Sequence, residues 1–445
     1  MTTREITMTK GEQRFRDRTP GSLEAYLKAE PMIPGGCPGG LGYMLPYPLY
    51  VERGEGCYIV DVDGNRYVDM VNADWLLPLG YGNERMVAAI TEQAVKGSTF
   101  CQPDPELGYR YAEVLQQRFP SLERMRFTTS GTEATLMALR VARVFTGRSK
   151  IAKIRGGYHG VHDVSMVVSG RYKDPDFVPE GLVPGTTDSV VLLPFNDADE
   201  AERLIEQHKN ELAAVIIEPM LGGSGMIPGN PEFLECLRAT TARHGIVLIF
   251  DEVVTATLGP HGAQGIYGIS PDMTTLGKAI GGGTPLGGFG GRADIMAVLD
   301  PALHPWTPPV RHASTLGGIP ICLAAGLAQM EQLTPEVHAH LDALGDRLRA
   351  GVRDLADRYG LALQVTGMGQ FFGLHWTDTP VVDFASCCTS KARKISAITL
   401  SLCNESYFLF YFVGTGVMSA PMTDEHVDGF VVALESALRE TAIIA

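Results

Sequence analysis

Between about residues 85 and 295, short apolar runs rich in Val and Ile alternate with longer stretches of helical period. That alternation predicts βαβ units around a mostly parallel sheet. The predicted strands are 151–154 (IAKI), 190–193 (VVLL), 214–217 (AVII) and 246–250 (IVLIF). Between the last two, residues 231–244 place Phe233, Leu234 and Leu237 on one apolar helical face, and Gly245 supplies the stop. The N-terminal part reads differently. Residues 31–48 hold five Pro and five Gly, too many for the interior of a regular element, so a loop is predicted there. Asp63-Gly64 lies between two alternating runs and predicts a hairpin. Beyond residue 330, a helix over 335–359 and short strands around 367–376 and 414–419 predict a smaller α+β unit. The predicted organisation is an N-terminal part of the small domain with an active-site loop (1–75), a large domain (76–325) and a C-terminal small domain (326–445).

Composition narrows the class. The 445 residues are 45% hydrophobic and 20% charged, the balance of a folded globular chain. Thirty-seven Lys and Arg against 51 Asp and Glu give a net charge of −14, which disfavours nucleic acid and anionic lipid as partners. Eight cysteines are scattered with no C-x-x-C pair and no His at zinc spacing, so neither a disulfide framework nor a metal site is predicted. The N-terminal MTTREITMTKGEQRFRDR lacks the apolar core of a signal peptide, and the longest strongly apolar run, 407–413, is too short to span a bilayer. A cytoplasmic protein with reduced thiols is the expectation.

Three stretches carry candidate chemistry. In RFTTSGTEATLMALRVAR (126–143), Ser130-Gly131-Thr132 stand where a helix begins. Free N–H groups, two hydroxyls and a glycine there make either a phosphate site or a plain helix cap. In IVLIFDEV (246–253), a strand ends by delivering Asp251 and Glu252 to the edge where open α/β sheets carry ligands. Asp251 there either pairs with a protonated ring nitrogen or caps the next turn. In TTLGKAIGGGTPLGGFGGR (274–292), Lys278 sits among eight glycines, a density that frees backbone to approach a cofactor. A desolvated lysine amine can bond to an aldehyde, whereas a solvated loop lysine does nothing. Phosphate cradle, aromatic residue, acidic strand end and glycine-flanked lysine occur in one unit, in the order that a pyridoxal phosphate site requires.

With these residues in hand, the sequence resembles the class III aminotransferases of fold type I. Within them it is similar to the glutamate-1-semialdehyde aminomutase-like branch, with β-amino-acid transaminases as near relatives. The resemblance runs over roughly residues 30–440. It is carried by SGTEA (130–134), GGYHG (156–160), IIEP (216–219), FDEV (250–253), TTLGKAIGGG (274–283) and STLGG (314–318). It implies a mostly parallel sheet sandwiched by helices plus a smaller α+β domain built from both chain ends. It implies pyridoxal 5'-phosphate as cofactor, joined to Lys278 as a Schiff base, with Asp251 on the ring nitrogen. Ser130, Gly131 and Thr132 are implied to hold the phosphate, with Tyr158 and Val253 on the two faces of the ring. His159 and Glu218 stand in family motifs, as contacts or as supports. Thr315 is implied to reach the phosphate of a neighbouring subunit, and so a homodimer with shared sites.

The chain also departs from the family. Its α-carboxylate-using members carry an arginine in the N-terminal loop, but between Arg18 and Arg53 the only cation is Lys28. The gating glutamate of the aminomutases corresponds to Gly414, and two of their asparagines to Gly223 and Ile319. The expectation is therefore transamination between an amine or amino acid and a carbonyl compound, with intramolecular amino transfer as the alternative. Tyr43, Tyr47 and Trp75 are expected to line an apolar, aromatic substrate side. A substrate carboxylate, if present, would need Arg155 or Arg311. Two competing classes fit less well. A nicotinamide-dependent oxidoreductase would use the glycines of 281–291 but leaves Lys278 unexplained and lacks a ribose-binding acid. A non-catalytic binding protein has no use for an intact Lys278 and Asp251.

Overall fold

The computed structural model describes residues 9–39, 42–170 and 174–444. The predicted hairpin forms: β1 (Val51–Glu55), β2 (Tyr58–Asp61) and β3 (Arg66–Asp69) make an antiparallel meander, with Asp63-Gly64 in the turn between β2 and β3. Asp61 fixes that turn, its Oδ1 accepting from the N–H groups of Asp63 and Asn65 at 3.0 and 2.7 Å. Among its described residues, the proline- and glycine-rich stretch before it is loop apart from one short turn, Pro34–Gly36.

The chain then builds β4 (Arg124–Thr128), β5 (Lys150–Ile154), β6 (Val190–Leu193) and β7 (Leu212–Ile217). A two-stranded ribbon, β8 (Met220–Leu221) with β9 (Ile227–Pro228), precedes β10 (Val247–Asp251), β11 (Met273–Leu276) and β12 (Gly287–Gly291). Seven of these form one sheet in the order β4-β12-β11-β10-β7-β5-β6. All neighbours are parallel except β12, which runs antiparallel to both β11 and β4. The four predicted strands are β5, β6, β7 and β10, within one or two residues at each end. β10 is wholly buried between β7 and β11, and so its sequence is a continuous apolar run rather than an alternating one. Helix Pro231–His244 lies between β9 and β10 in the chain, with Phe233, Leu234 and Leu237 buried and Gly245 in the left-handed conformation at its end.

The glycine run after Lys278 is where the sequence reading needs correcting. Its second half is strand β12, GGFGG, buried along its whole length. The glycines are there because backbone crosses close by. A Cβ on Gly290 would stand 2.4 Å from the carbonyl of Arg124, and one on Gly291 would stand 2.3 Å from that of Asp272. Helix Gly131–Thr146 packs on β7, β11 and β12 through buried Ala134, Ala138, Val141 and Ala142. Small residues on both sides of that contact bring the helix start down to the carboxyl ends of the strands.

Past residue 330 the 25-residue helix Pro335–Tyr359 opens on Thr334, whose hydroxyl accepts from Val337 N, and closes on left-handed Gly360. It buries Leu341, Leu344, Leu348, Val352 and Leu355, spaced by three and four residues. It covers a sheet of β13 (Leu363–Thr366), β14 (Phe371–Trp376) and β16 (Thr415–Val417). The remaining strand, β15 (Tyr407–Phe408), crosses to pair parallel with β3, so both chain ends share one sheet. Among the described residues no helix is long and apolar enough to cross a membrane, and no group of His, Cys, Asp or Glu could hold a metal ion.

The packing account of β12 has a measurable consequence. Gly290→Ala should lower stability by about 1–3 kcal/mol through overpacking. Gly108→Ala, where nothing lies within 4 Å of the added carbon, should stay within about 1 kcal/mol of the parent. Thermal unfolding of both variants checks this; equal midpoints would show that β12 has room to spare.

Candidate active site

The carboxyl end of β10 delivers Asp251 into a cavity of about 430 Å³, whose lining includes Lys278, Tyr158, His159, Glu218, Val253, Asp74 and Trp75. Asp251 is 3% exposed, and burying a carboxylate costs several kcal/mol unless donors meet it. Three do. Oδ1 accepts from Thr275 Oγ1 at 3.0 Å and from Val253 N at 3.2 Å, and Oδ2 lies 2.7 Å from His159 Nδ1. Burial holds the His159 imidazole below its ordinary pKa, against the pull of Asp251, so the neutral ring donates through Nδ1. Its Nε2 is then an acceptor, and it is buried without a hydrogen-bond partner among the described residues.

Glu218 follows β7, with Oε1 accepting from Tyr158 N at 2.8 Å and Oε2 from Gly222 N at 3.2 Å. Burial, and then the charge of Asp251, push its carboxyl up to about 8. At neutral pH it is largely protonated and adds no second negative charge beside Asp251. Lys153, on β5, is a residue the sequence reading passed over as part of an apolar strand. It is fully buried, donates to the carbonyls of Ser165 and Val167 at 2.6 and 2.8 Å, and is pulled down to about 7 by burial. A lysine in the middle of an apolar four-residue run was the available signal. Glu252, the other acid of the strand end, turns away from the cavity. It accepts from Thr255 Oγ1, from the N–H groups of Ala263 and Gln264, and from the Gln264 amide, and so ties the strand end to the next helix.

At the start of helix Gly131–Thr146, Ser130 Oγ accepts from Glu133 N at 3.2 Å, and Ser130 O accepts from Ala134 N. Ser130 is therefore a helix cap, and the N–H groups of Gly131 and Thr132 are left as terminal donors at the positive end of the helix dipole. Gly131 is required here, since a Cβ would lie 2.8 Å from Val253 Cγ2. Ser130, Gly131 and Thr132 all line the cavity.

Lys278 follows β11 in a left-handed conformation, with φ of 49°. Its Nζ lies 2.5 Å from Asp74 Oδ2 and 3.2 Å from Asp74 O, and 4.6 Å from the centre of the Trp75 ring. Asp74 was not foreseen. The faint signal was the pair Asn72 and Asp74, residue types that tolerate positive φ. A second hollow continues from Asp74 and Trp75 between Tyr43, Phe410, Tyr411 and Phe412. Tyr43 stacks on Phe412 at 6.4 Å, and Phe410 meets the Trp75 ring edge-on at 5.6 Å.

Some expected residues lie elsewhere. Tyr47 is not on the substrate side; it is buried against Phe15 with its hydroxyl 2.9 Å from Thr19 Oγ1. Its neighbour in sequence proximity, Tyr43, does line the hollow, because the intervening chain turns between them. Arg155 is engaged by Asp176 at 2.7 Å and by the Pro175 carbonyl, and does not line the cavity. Arg311 and Thr315 are exposed and stand outside the cavity of their own chain.

Comparison with known proteins agrees with this geometry. The family profile "Aminotransferase class-III" matches residues 43–427. A glutamate-1-semialdehyde 2,1-aminomutase of Brevibacillus brevis is 37% identical over 430 residues, covering 94% of this chain and 98% of that protein. The crystal structure of an omega-transaminase from Sphaerobacter thermophilus superposes with a TM-score of 0.90 at 39% identity, over 96% of this chain and 99% of that one. A beta-phenylalanine aminotransferase from Variovorax paradoxus gives a TM-score of 0.88 at 36% identity, over 98% and 97%. With a cavity of this composition at the strand ends of this sheet, the chain belongs to the class-III aminotransferases, pyridoxal-phosphate-dependent enzymes of fold type I.

Proposed function

We propose that the protein is a transaminase that moves an amino group between a bulky, largely apolar amine or amino acid and a carbonyl acceptor. The observation that carries this is a single cavity onto which a lysine amine, a buried carboxylate held by a neutral histidine, and a helix N-terminus all open. The residues present fit pyridoxal phosphate. Asp251 is a charged acceptor in a dry site, His159 Nε2 is a buried acceptor with no partner, and Gly131 opens the helix end that a Cβ would crowd. Lys278 would hold the aldehyde, Asp251 the ring nitrogen, Gly131, Thr132 and Ser130 the phosphate, and Tyr158 and Val253 the faces of the ring.

When bound, the cofactor supplies an aldehyde that takes up an amine and a protonated ring that draws electrons from the carbon bearing it. The chain does the rest. Asp251 keeps a proton on the ring nitrogen, because a carboxylate in a low-dielectric site stabilises an adjacent cation. His159 orients Asp251 and prevents it from turning away, and Glu218, being neutral, leaves it the dominant charge on the cavity floor. Lys278 Nζ accepts a proton from the substrate carbon and returns it one position away. Tyr43, Trp75, Phe410 and Phe412 give the substrate side chain an aromatic wall and exclude water. Among the described residues no arginine lines either hollow, which supports an apolar substrate over one gripped by its carboxylate. Identity with the aminomutases favours intramolecular amino transfer as the second reading; product analysis with a diamine or aminoaldehyde separates the two.

The same reading makes the protein a cytoplasmic homodimer. Support for the dimer comes from an exposed loop that carries Thr315 together with Leu303, Leu316 and Trp306, the last 92% exposed.

The purified protein loaded with cofactor should absorb in the visible, and borohydride should bleach that band and fix the label on the Lys278 peptide. Lys278→Ala should lose the label and about a thousandfold or more in amino transfer; retained activity would sink the assignment. An arylalkylamine should be turned over in preference to β-phenylalanine, and a strong preference for the β-amino acid would refute the apolar substrate. For Glu218 the native pKa of about 8 exceeds the ordinary 4.5, so the native state binds the extra proton. The stability this contributes is complete below about pH 4.5 and is lost as pH rises towards 8. Glu218→Gln should flatten the denaturation midpoint across that window, and an unchanged slope would place the titration elsewhere.

A further inference from the structure

The turn Asn72–Trp75 is the most strained segment near the cavity. All four residues have positive φ (52°, 55°, 61° and 68°), a left-handed turn made without glycine. Such a conformation costs roughly 1–2 kcal/mol per residue. It is held by hydrogen bonds from Trp75 N to Val71 O and from Leu76 N to Asn72 O, by the Asn72 amide on Leu77 O, and by Asp69, which accepts from Val71 N and Tyr81 Oη. Strain maintained by this many contacts marks a functional position. What the turn achieves is to set the Asp74 carboxylate, the Asp74 carbonyl and the face of Trp75 around one point.

That point is occupied by the Lys278 ammonium, on Asp74 Oδ2 at 2.5 Å, Asp74 O at 3.2 Å and the indole ring at 4.6 Å. A carboxylate, a carbonyl and an aromatic face are the groups that bind an alkylammonium ion. Two buried polar atoms of these residues, Asp74 Oδ1 and Trp75 Nε1, have no hydrogen-bond partner among the described residues. The Asp74–Trp75 pair borders the aromatic hollow of Tyr43, Phe410, Tyr411 and Phe412, and among the described residues no Lys or Arg other than Lys278 lines either space.

We infer that Asp74 and Trp75 form an ammonium-binding subsite for the incoming amine, and that Asp74 turns away substrates with a carboxylate beside the reacting carbon. The inference rests on the transaminase reading above. A lysine nitrogen bonded to the cofactor no longer offers three N–H donors. Asp74 and the indole face then receive the charged head of the entering amine while its apolar body lies along the aromatic wall. A carboxylate on the same carbon would meet Asp74, and among the described residues no cation other than Lys278 lines the cavity to offset the repulsion.

The test uses cofactor-loaded protein and N,N-dimethylbenzylamine, a tertiary amine that is protonated at neutral pH and cannot bond to an aldehyde. Calorimetric titration should show saturable binding, and binding of phenylacetate at least about tenfold weaker. Asp74→Asn, which suits a left-handed turn, should weaken the amine about tenfold and narrow its advantage over phenylacetate; Trp75→Leu should weaken the amine with no gain for phenylacetate. Equal affinity of the parent for the two probes, or amine binding unchanged in Asp74→Asn, overturns the subsite. The visible band is recorded on each sample. A colourless parent protein overturns the transaminase reading itself, whereas a coloured protein indifferent to the two probes overturns only the subsite. If Asp74→Asn does not take up cofactor, the preference of the parent protein decides alone.

Discussion

A carboxylate buried at the end of a central strand is the constraint on which the other features of the site depend. Asp251 stands where β10 leaves the sheet, covered by β7, β11 and the helix that begins at Gly131. A charge in that position is tolerated only with its oxygens met by donors. Thr275 from the neighbouring strand, the Val253 N–H and the His159 ring supply them. Removing any of these would leave a buried carboxylate oxygen with one donor fewer.

The environment sorts the remaining ionisable groups around that charge. Glu218 is driven towards its neutral form, firstly by burial and secondly by Asp251. His159 is neutral for want of water. Lys153 sits beneath the same region, its amine satisfied by two backbone carbonyls rather than by an acid. The cavity therefore combines the Asp251 carboxylate, the Asp74–Lys278 ion pair and the positive end of a helix. Its electrostatics are asymmetric before any ligand enters: cations are favoured beside the carboxylates and anions at the helix end.

The legibility of this arrangement varied from residue to residue. Strands β6 and β10 and the helices 231–244 and 335–359 were readable because each is a local pattern: an apolar run, or an apolar stripe closed by Gly245 or Gly360. Asp251 was readable because the end of a run is a position in sequence as well as in space. The glycines of β12 were misread. Glycine density signals close approach of backbone, but whether the approaching backbone belongs to a ligand or to the strands on either side is not local information. Tyr47 was misplaced for the same reason. In a loop, nothing in the pattern of neighbours says which of two tyrosines turns inward to Thr19 and which to the cavity.

What the sequence determined alone was the order in which Ser130, Asp251 and Lys278 follow along the chain, each at a helix start or a strand end, since those positions are fixed by hydrophobic period and by glycine and hydroxyl placement. What only the tertiary structure decided was where side chains point and which charges survive. Asp74 meets Lys278 across more than two hundred residues because four consecutive residues adopt a left-handed turn. His159 is neutral and Glu218 protonated because other segments remove water from them. Orientation and protonation are set by contacts between distant parts of the chain, and no window of sequence contains them.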